Sequence, residues 1–194
     1  SPERQLIRAK KYGSQFGFKD FKNFYQNSKI KIAYFTSDFF NHAGMMNMEG
    51  IFKYHNKEKF EIYGFDYGDS NNDETHNRIK KYFDEFFYVN NLTDEQISKL
   101  VKDNKIDIVI HRNGYSQNSR NTLFSNKIAP IQISFLGFPG SMGVDFIDYM
   151  IADKTVIPEE NTKFFSEKII YLPNTYYPTY NERKISTKEY YRKD

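Results

Sequence analysis

The chain has 194 residues, enough for one domain with a real core, and its 39% apolar and 18% aromatic content argues for a globular fold and against disorder. Twenty-eight Lys and Arg against 25 Asp and Glu leave a formal charge of +3, with the two signs interspersed, which is too weak a bias to suggest nucleic acid. The absence of Cys removes disulfides, thiolate nucleophiles and Cys-held zinc; no apolar run approaches the roughly 18 residues of a membrane helix and no signal-peptide pattern opens the chain, so a soluble cytoplasmic protein is expected.

Residues 1–29 carry a short helical pattern broken by Gly and Asn, and read as a connector or lead-in helix. From Ile30 the pattern becomes regular. Apolar runs at 30–35, 60–65, 85–89, 106–111, 131–138, 146–152 and 168–172 predict seven strands. Between the early runs, Met45, Met48 and Phe52 share a helical face, as do Ile79, Tyr82 and Phe83, and Ile97, Leu100 and Val101. Thr93 and Gln96 have capping-box spacing at the start of the third of these helices. Strand and helix alternating with short connections predict an α/β fold, a doubly wound and mainly parallel Rossmann-like sheet over residues 30–178. The charged segment 179–194 reads as a linker or terminal helix leading elsewhere.

In such a sheet ligands bind beyond the carboxyl ends of the strands, and three polar or glycine-rich loops fall there. The first is SDFFNHAGMM, Ser37 to Met46. It offers a carboxylate that can accept a hydroxyl proton (Asp38), an amide that can orient a polar substrate (Asn41) and an imidazole that can hold a proton (His42). Each could instead cap a helix or sit in solvent. The second is HRNGYSQNSR, His111 to Arg120, where strand-end solvation accounts equally well for His111 and Arg112. The third is FLGFPGSMG, Phe135 to Gly143, whose glycines suit either close approach to a ligand or plain turns. There is no GxGxxG dinucleotide fingerprint and no P-loop, and the other His residues, 55, 76 and 111, have no zinc-ligand spacing with His42, so no metal is expected.

The phrases IKIAYFTSDFFNH, APIQISFLGFPGSMG and EKIIYLP, with the second loop between them, resemble the amino-terminal half of the catalytic region of the protein O-GlcNAc transferase family, which includes the Spindly-like proteins. The likeness runs from about Ile30 to about Pro173. It implies one lobe of a GT-B glycosyltransferase with a second nucleotide-binding lobe elsewhere, and tetratricopeptide repeats ahead of the first. The implied reaction is inverting transfer of N-acetylglucosamine from UDP-GlcNAc to Ser or Thr hydroxyls of an acceptor polypeptide, with no cofactor beyond the donor substrate. By position, Asp38 and His42 are the implied catalytic residues. Asn41, Tyr115, Arg120, Leu136, Gly137, Phe138 and Pro139 are the implied substrate-binding ones.

Several positions depart from the family pattern. Ala43 stands where Pro is usual and Met46 where a His is usual; His111-Arg112-Asn113-Gly114-Tyr115-Ser116 replaces the commoner Asp-Leu-Asn-Gly-Tyr-Thr. No stretch can form the second lobe, so the piece alone is expected to be inactive. The alternative implied by these departures is a non-catalytic pseudo-glycosyltransferase module that binds a polypeptide or partner subunit.

Overall fold

The computed structural model describes residues 1–21, 24–69, 73–182 and 185–189. Seven strands form one all-parallel sheet: β1 (Ile30–Thr36), β2 (Phe60–Asp66), β3 (Glu85–Tyr88), β4 (Ile108–His111), β5 (Ile131–Ser134), β6 (Tyr149–Ala152) and β7 (Lys168–Tyr171). Their spatial order is 3-2-1-4-5-6-7, so the winding reverses between β1 and β4. All seven predicted strands are present. Those expected at 106–111, 131–138 and 146–152 are shorter, because the ladder of β4 begins only at Ile108 and residues 135–148 leave the sheet to build the β5–β6 loop.

Helices cover both faces. Helix α1 (Pro2–Gly13) precedes the sheet; α2 (Ala43–Lys53) and α3 (Glu74–Ile79) follow β1 and β2; α4 (Asp94–Asp103) and α5 (Asn121–Ser125) follow β3 and β4. Because successive strand side chains point to opposite faces, Ile32 and Tyr34 join one core with Met45, Met48, Phe52 and Ile79. Ala33 and Phe35 join the other with Ile97, Val101, Leu123 and Phe124. Burial on both faces from Ile32 onward is why β1 reads as an apolar run interrupted only by Lys31 near its start. Paired aromatics reinforce the register: Phe35 lies opposite Phe65 with rings stacked 4.4 Å apart, and Phe65 lies opposite Phe87. The Thr93–Gln96 capping box forms in both directions at the start of α4.

The ends of the chain pack onto this unit. Ala9 and Gly13, four apart on α1, are buried against the β5–β6 loop, where a Cβ on Gly13 would stand 2.5 Å from the Val144 side chain. After β7 the chain crosses back over the carboxyl edge: Tyr176 is buried against Phe135, Tyr177 accepts a hydrogen bond from Asn47 on α2, and Glu182 meets Lys53. The described part of segment 179–194 is non-helical; 183–184 and 190–194 lie outside the described residues.

Candidate functional site

The β1–α2 loop and the β4–α5 loop leave the sheet side by side at its switch point, where Phe35 of β1 lies opposite His111 of β4. Asp38 sits at the centre. Its Oδ1 accepts from the Ser37 hydroxyl at 2.8 Å, and its Oδ2 accepts from Asn113 Nδ2 at 3.2 Å and from the Arg112 guanidinium. The Asp38 side chain keeps 15% of its surface exposed, while Arg112 keeps 7%. Asn113 ties the cluster together: its amide also donates to Ser37 Oγ, and its carbonyl oxygen accepts from the Tyr67 hydroxyl at 2.9 Å. Burial pushes the Tyr67 phenol well up, which keeps it a donor at neutral pH.

The other two residues of the first loop serve the fold as well. His42 is the N-cap of α2, its Nδ1 accepting from Gly44 N at 3.1 Å, so that nitrogen is unprotonated in this arrangement. Asn41 is exposed, and its backbone N–H donates to Asp73, which also caps α3. Beneath the loop, His76 holds the Phe39 carbonyl at 2.6 Å, and Asp66 lies 3.9 Å from the same imidazole. Burial raises the Asp66 carboxyl to about 6, opposed by the Gly68 amide and by His76.

Backbone contacts join the third loop to this cluster. A Cβ on Gly137 would stand 2.0 Å from the Arg112 carbonyl oxygen, and one on Gly114 would stand 2.4 Å from Phe138. Leu136, immediately before, has φ of 75°, a left-handed backbone uncommon for a bulky residue. The loop is fastened from below by buried Glu167, which accepts from Ser141 Oγ and Met142 N, and by Gln132, which donates to the carbonyls of Phe124 and Phe146. Neither role was legible in the sequence.

The sequence-derived site residues therefore divide. Asp38, Asn41 and His42 share the first loop; Leu136 and Gly137 approach them through Arg112. Tyr115 and Phe138 line a separate cavity of about 520 Å³ under α1, with Gln5, Arg8, Tyr12 and Ser119. None of residues 38 to 42 lines that cavity. Pro139 is exposed beside a smaller one. Arg120 fastens the β3–α4 connection, its guanidinium donating to Asp94 and to the carbonyls of Val89 and Leu92, which uses three of its five N–H groups. Arg112, for which the sequence left strand-end solvation and a site role equally open, pairs with a carboxylate 74 positions earlier. Among the described residues, no group of three His, Asp or Glu could hold a metal ion, and no helix is long and apolar enough to cross a membrane.

A seven-stranded parallel sheet with helices on both faces and a polar, ion-paired cluster at its switch point is a Rossmann-like α/β domain. The glycosyl transferase family 41 model matches residues 9–186, and the chain belongs to that family. It is 36% identical over 149 residues to an Arabidopsis thaliana protein described as "Probable UDP-N-acetylglucosamine--peptide N-acetylglucosaminyltransferase SEC", covering 77% of this chain and 15% of that one. It is 32% identical over 176 residues to the Caenorhabditis elegans UDP-N-acetylglucosamine–peptide N-acetylglucosaminyltransferase, covering 89% and 14%. The fold matches a Thermobaculum terrenum O-GlcNAc transferase structure with a TM-score of 0.86 at 21% identity, over 92% of this chain and 35% of that one. The chain thus spans about one seventh of the length of these two sequence relatives.

Proposed function

We propose that this chain is the acceptor-side lobe of a protein O-glycosyltransferase that moves N-acetylglucosamine from UDP-GlcNAc to Ser or Thr hydroxyls with inversion. The observation that carries the reading is the Asp38 carboxylate, part-exposed at the switch point of a family 41 domain, with one oxygen held by two donors and the other by a single hydroxyl. In the proposed step the acceptor oxygen forms a bond to the anomeric carbon as the carbon–phosphate-oxygen bond breaks. The electron pair leaves with the diphosphate, and the hydroxyl proton passes to Asp38. A positioned general base is worth about 10²–10⁴-fold. Positioning the donor and stabilising the leaving diphosphate are assigned to a second lobe outside these residues.

The polypeptide acceptor, that second lobe and preceding tetratricopeptide repeats belong to the same proposal, as does a cytoplasmic setting. His42, Asn41, Leu136, Gly137, Phe138 and Pro139 would line the sugar and acceptor path, with Tyr115 and the cavity under α1 on its flank. One observation favours the second reading, a non-catalytic module: Asp38 is already ion-paired with Arg112. Calorimetric titration with UDP separates these ideas. The isolated chain should show no saturable heat and the full-length gene product should bind. Saturable binding by the isolated chain would overturn the division between lobes, and no binding by either would favour the module.

A further inference from the structure

Arg112 is an expensive residue for the place it occupies. Its guanidinium is buried, its Nε has no hydrogen-bond partner, and a buried unpartnered N–H costs stability. An apolar side chain of similar volume would serve packing as well or better, since buried ion pairs seldom beat hydrophobic replacements. Yet the surroundings are shaped for it. Gly44, in the first turn of α2, leaves room where a Cβ would stand 1.5 Å from Nη2. The Arg112 backbone is held at both ends, its N–H donating to Phe35 O at 3.2 Å and its carbonyl packed under Gly137. A fixed backbone, a tailored slot and a single anionic partner give the guanidinium one direction to point.

That direction divides the two oxygens of Asp38. Arg112 Nη1 and Asn113 Nδ2 both donate to Oδ2, which fills its two lone-pair directions. Oδ1 accepts only the Ser37 hydroxyl among the described residues, so it retains capacity for one more donor. We propose that Arg112 is a positioning residue for proton transfer, pinning Oδ2 so that Oδ1 takes the proton of the incoming hydroxyl. Arg112 itself neither gains nor loses a proton; Asp38 becomes a neutral acid at Oδ1 and returns the proton to water when product leaves. The inference rests on the functional reading above.

The test uses the full-length gene product with UDP-GlcNAc and a Ser- and Thr-containing polypeptide, comparing D38N, R112L, R112K and the D38N/R112L double variant. D38N should lower kcat by about 10²-fold or more with donor KM little changed. R112L should lower kcat by about tenfold or more, again with KM unmoved, because a misaimed base loses part of its advantage. R112K, which keeps the charge but not the planar fork, should recover part of that loss. The double variant should be no slower than D38N alone, since Arg112 acts only through Asp38. A merely structural arginine would instead give losses that multiply. Losses that multiply, or an R112L variant as fast as wild type or faster beside a slow D38N, overturn the inference alone. A D38N variant at the wild-type rate overturns the functional reading and the inference with it. If R112L does not fold, as thermal melting would show, R112M carries the same comparison.

Discussion

The two loop clusters at the carboxyl edge of the sheet are built by different means. At the exits of β1 and β4, side chains do the shaping: Asp38, Arg112, Asn113, Ser37 and Tyr67 form a closed polar network in which each distance depends on another side chain. Beyond β5 the shaping is done by backbone. Gly137, Gly140 and Gly143 give up side chains so that the Arg112 carbonyl, Gln5 and α1 can come close, and a left-handed Leu136 sets the turn. Side-chain networks can exchange partners when a substrate arrives. A backbone wall packed at contact distance cannot. The difference places adaptable chemistry on one side and a fixed surface on the other.

The sharpest way to break this contrast is Gly137→Ala. Its methyl would meet a carbonyl oxygen at 2.0 Å, and that atom belongs to the backbone rather than to a yielding side chain. A loss of about 3 kcal/mol is expected in urea denaturation followed by circular dichroism. A midpoint unchanged from wild type would show the wall to be as adaptable as the opposite side. Glu167→Ala tests the same wall from beneath. It strips the acceptors from the Met142 amide and the Ser141 hydroxyl in a buried setting, and about 2 kcal/mol should be lost in the same measurement.

The network side should respond to pH instead. Burial raises Asp66 from 3.8 to about 6, so the stability it contributes is present below its unfolded pKa and lost as pH rises through 6. Burial lowers His111 from 6.5 to about 4, despite its bond to Asn121, so its contribution is present above 6.5 and lost as pH falls through 4. Between about pH 4 and 6 the two slopes oppose. Asp66→Asn should make stability fall more steeply on acidification, and His111→Gln should shift the slope the other way, toward stability that rises on acidification, each by at most about 1.4 kcal/mol per pH unit. Parallel curves for wild type and Asp66→Asn would show that the carboxylate is solvated in the folded protein.

Much of the architecture was legible because it depends on local periodicity. The largely apolar run at 30–35 marks a strand buried on both faces from Ile32 onward, and the Thr93–Gln96 pair marks a helix start that forms as expected. The short α5 was missed, since a single turn leaves too few residues for a periodic face. The loop at 37–42 could be located from the strand before it. What lies opposite that loop could not, because the meeting of Asp38 with Arg112 and Asn113 depends on parallel strands aligning residues more than seventy positions apart. The same holds for Glu167 and for the docking of α1, whose signal was two small residues in a short charged helix. Arg120, placed by motif position near the acceptor, bonds to the capped start of α4, to Asp94 and the carbonyls of Val89 and Leu92, partners the sequence did not reveal.

The slot beside Gly44 that the guanidinium fills has a consequence for descent. Positions 44 and 112 cannot drift separately: any side chain acquired at 44 would evict the guanidinium, whereas the loss of arginine would leave a vacant slot that a larger residue at 44 could fill. Substitutions at the two sites should therefore be tolerated jointly where either alone is not. A lineage that once adopted this pairing is held to it by the space as much as by the charge.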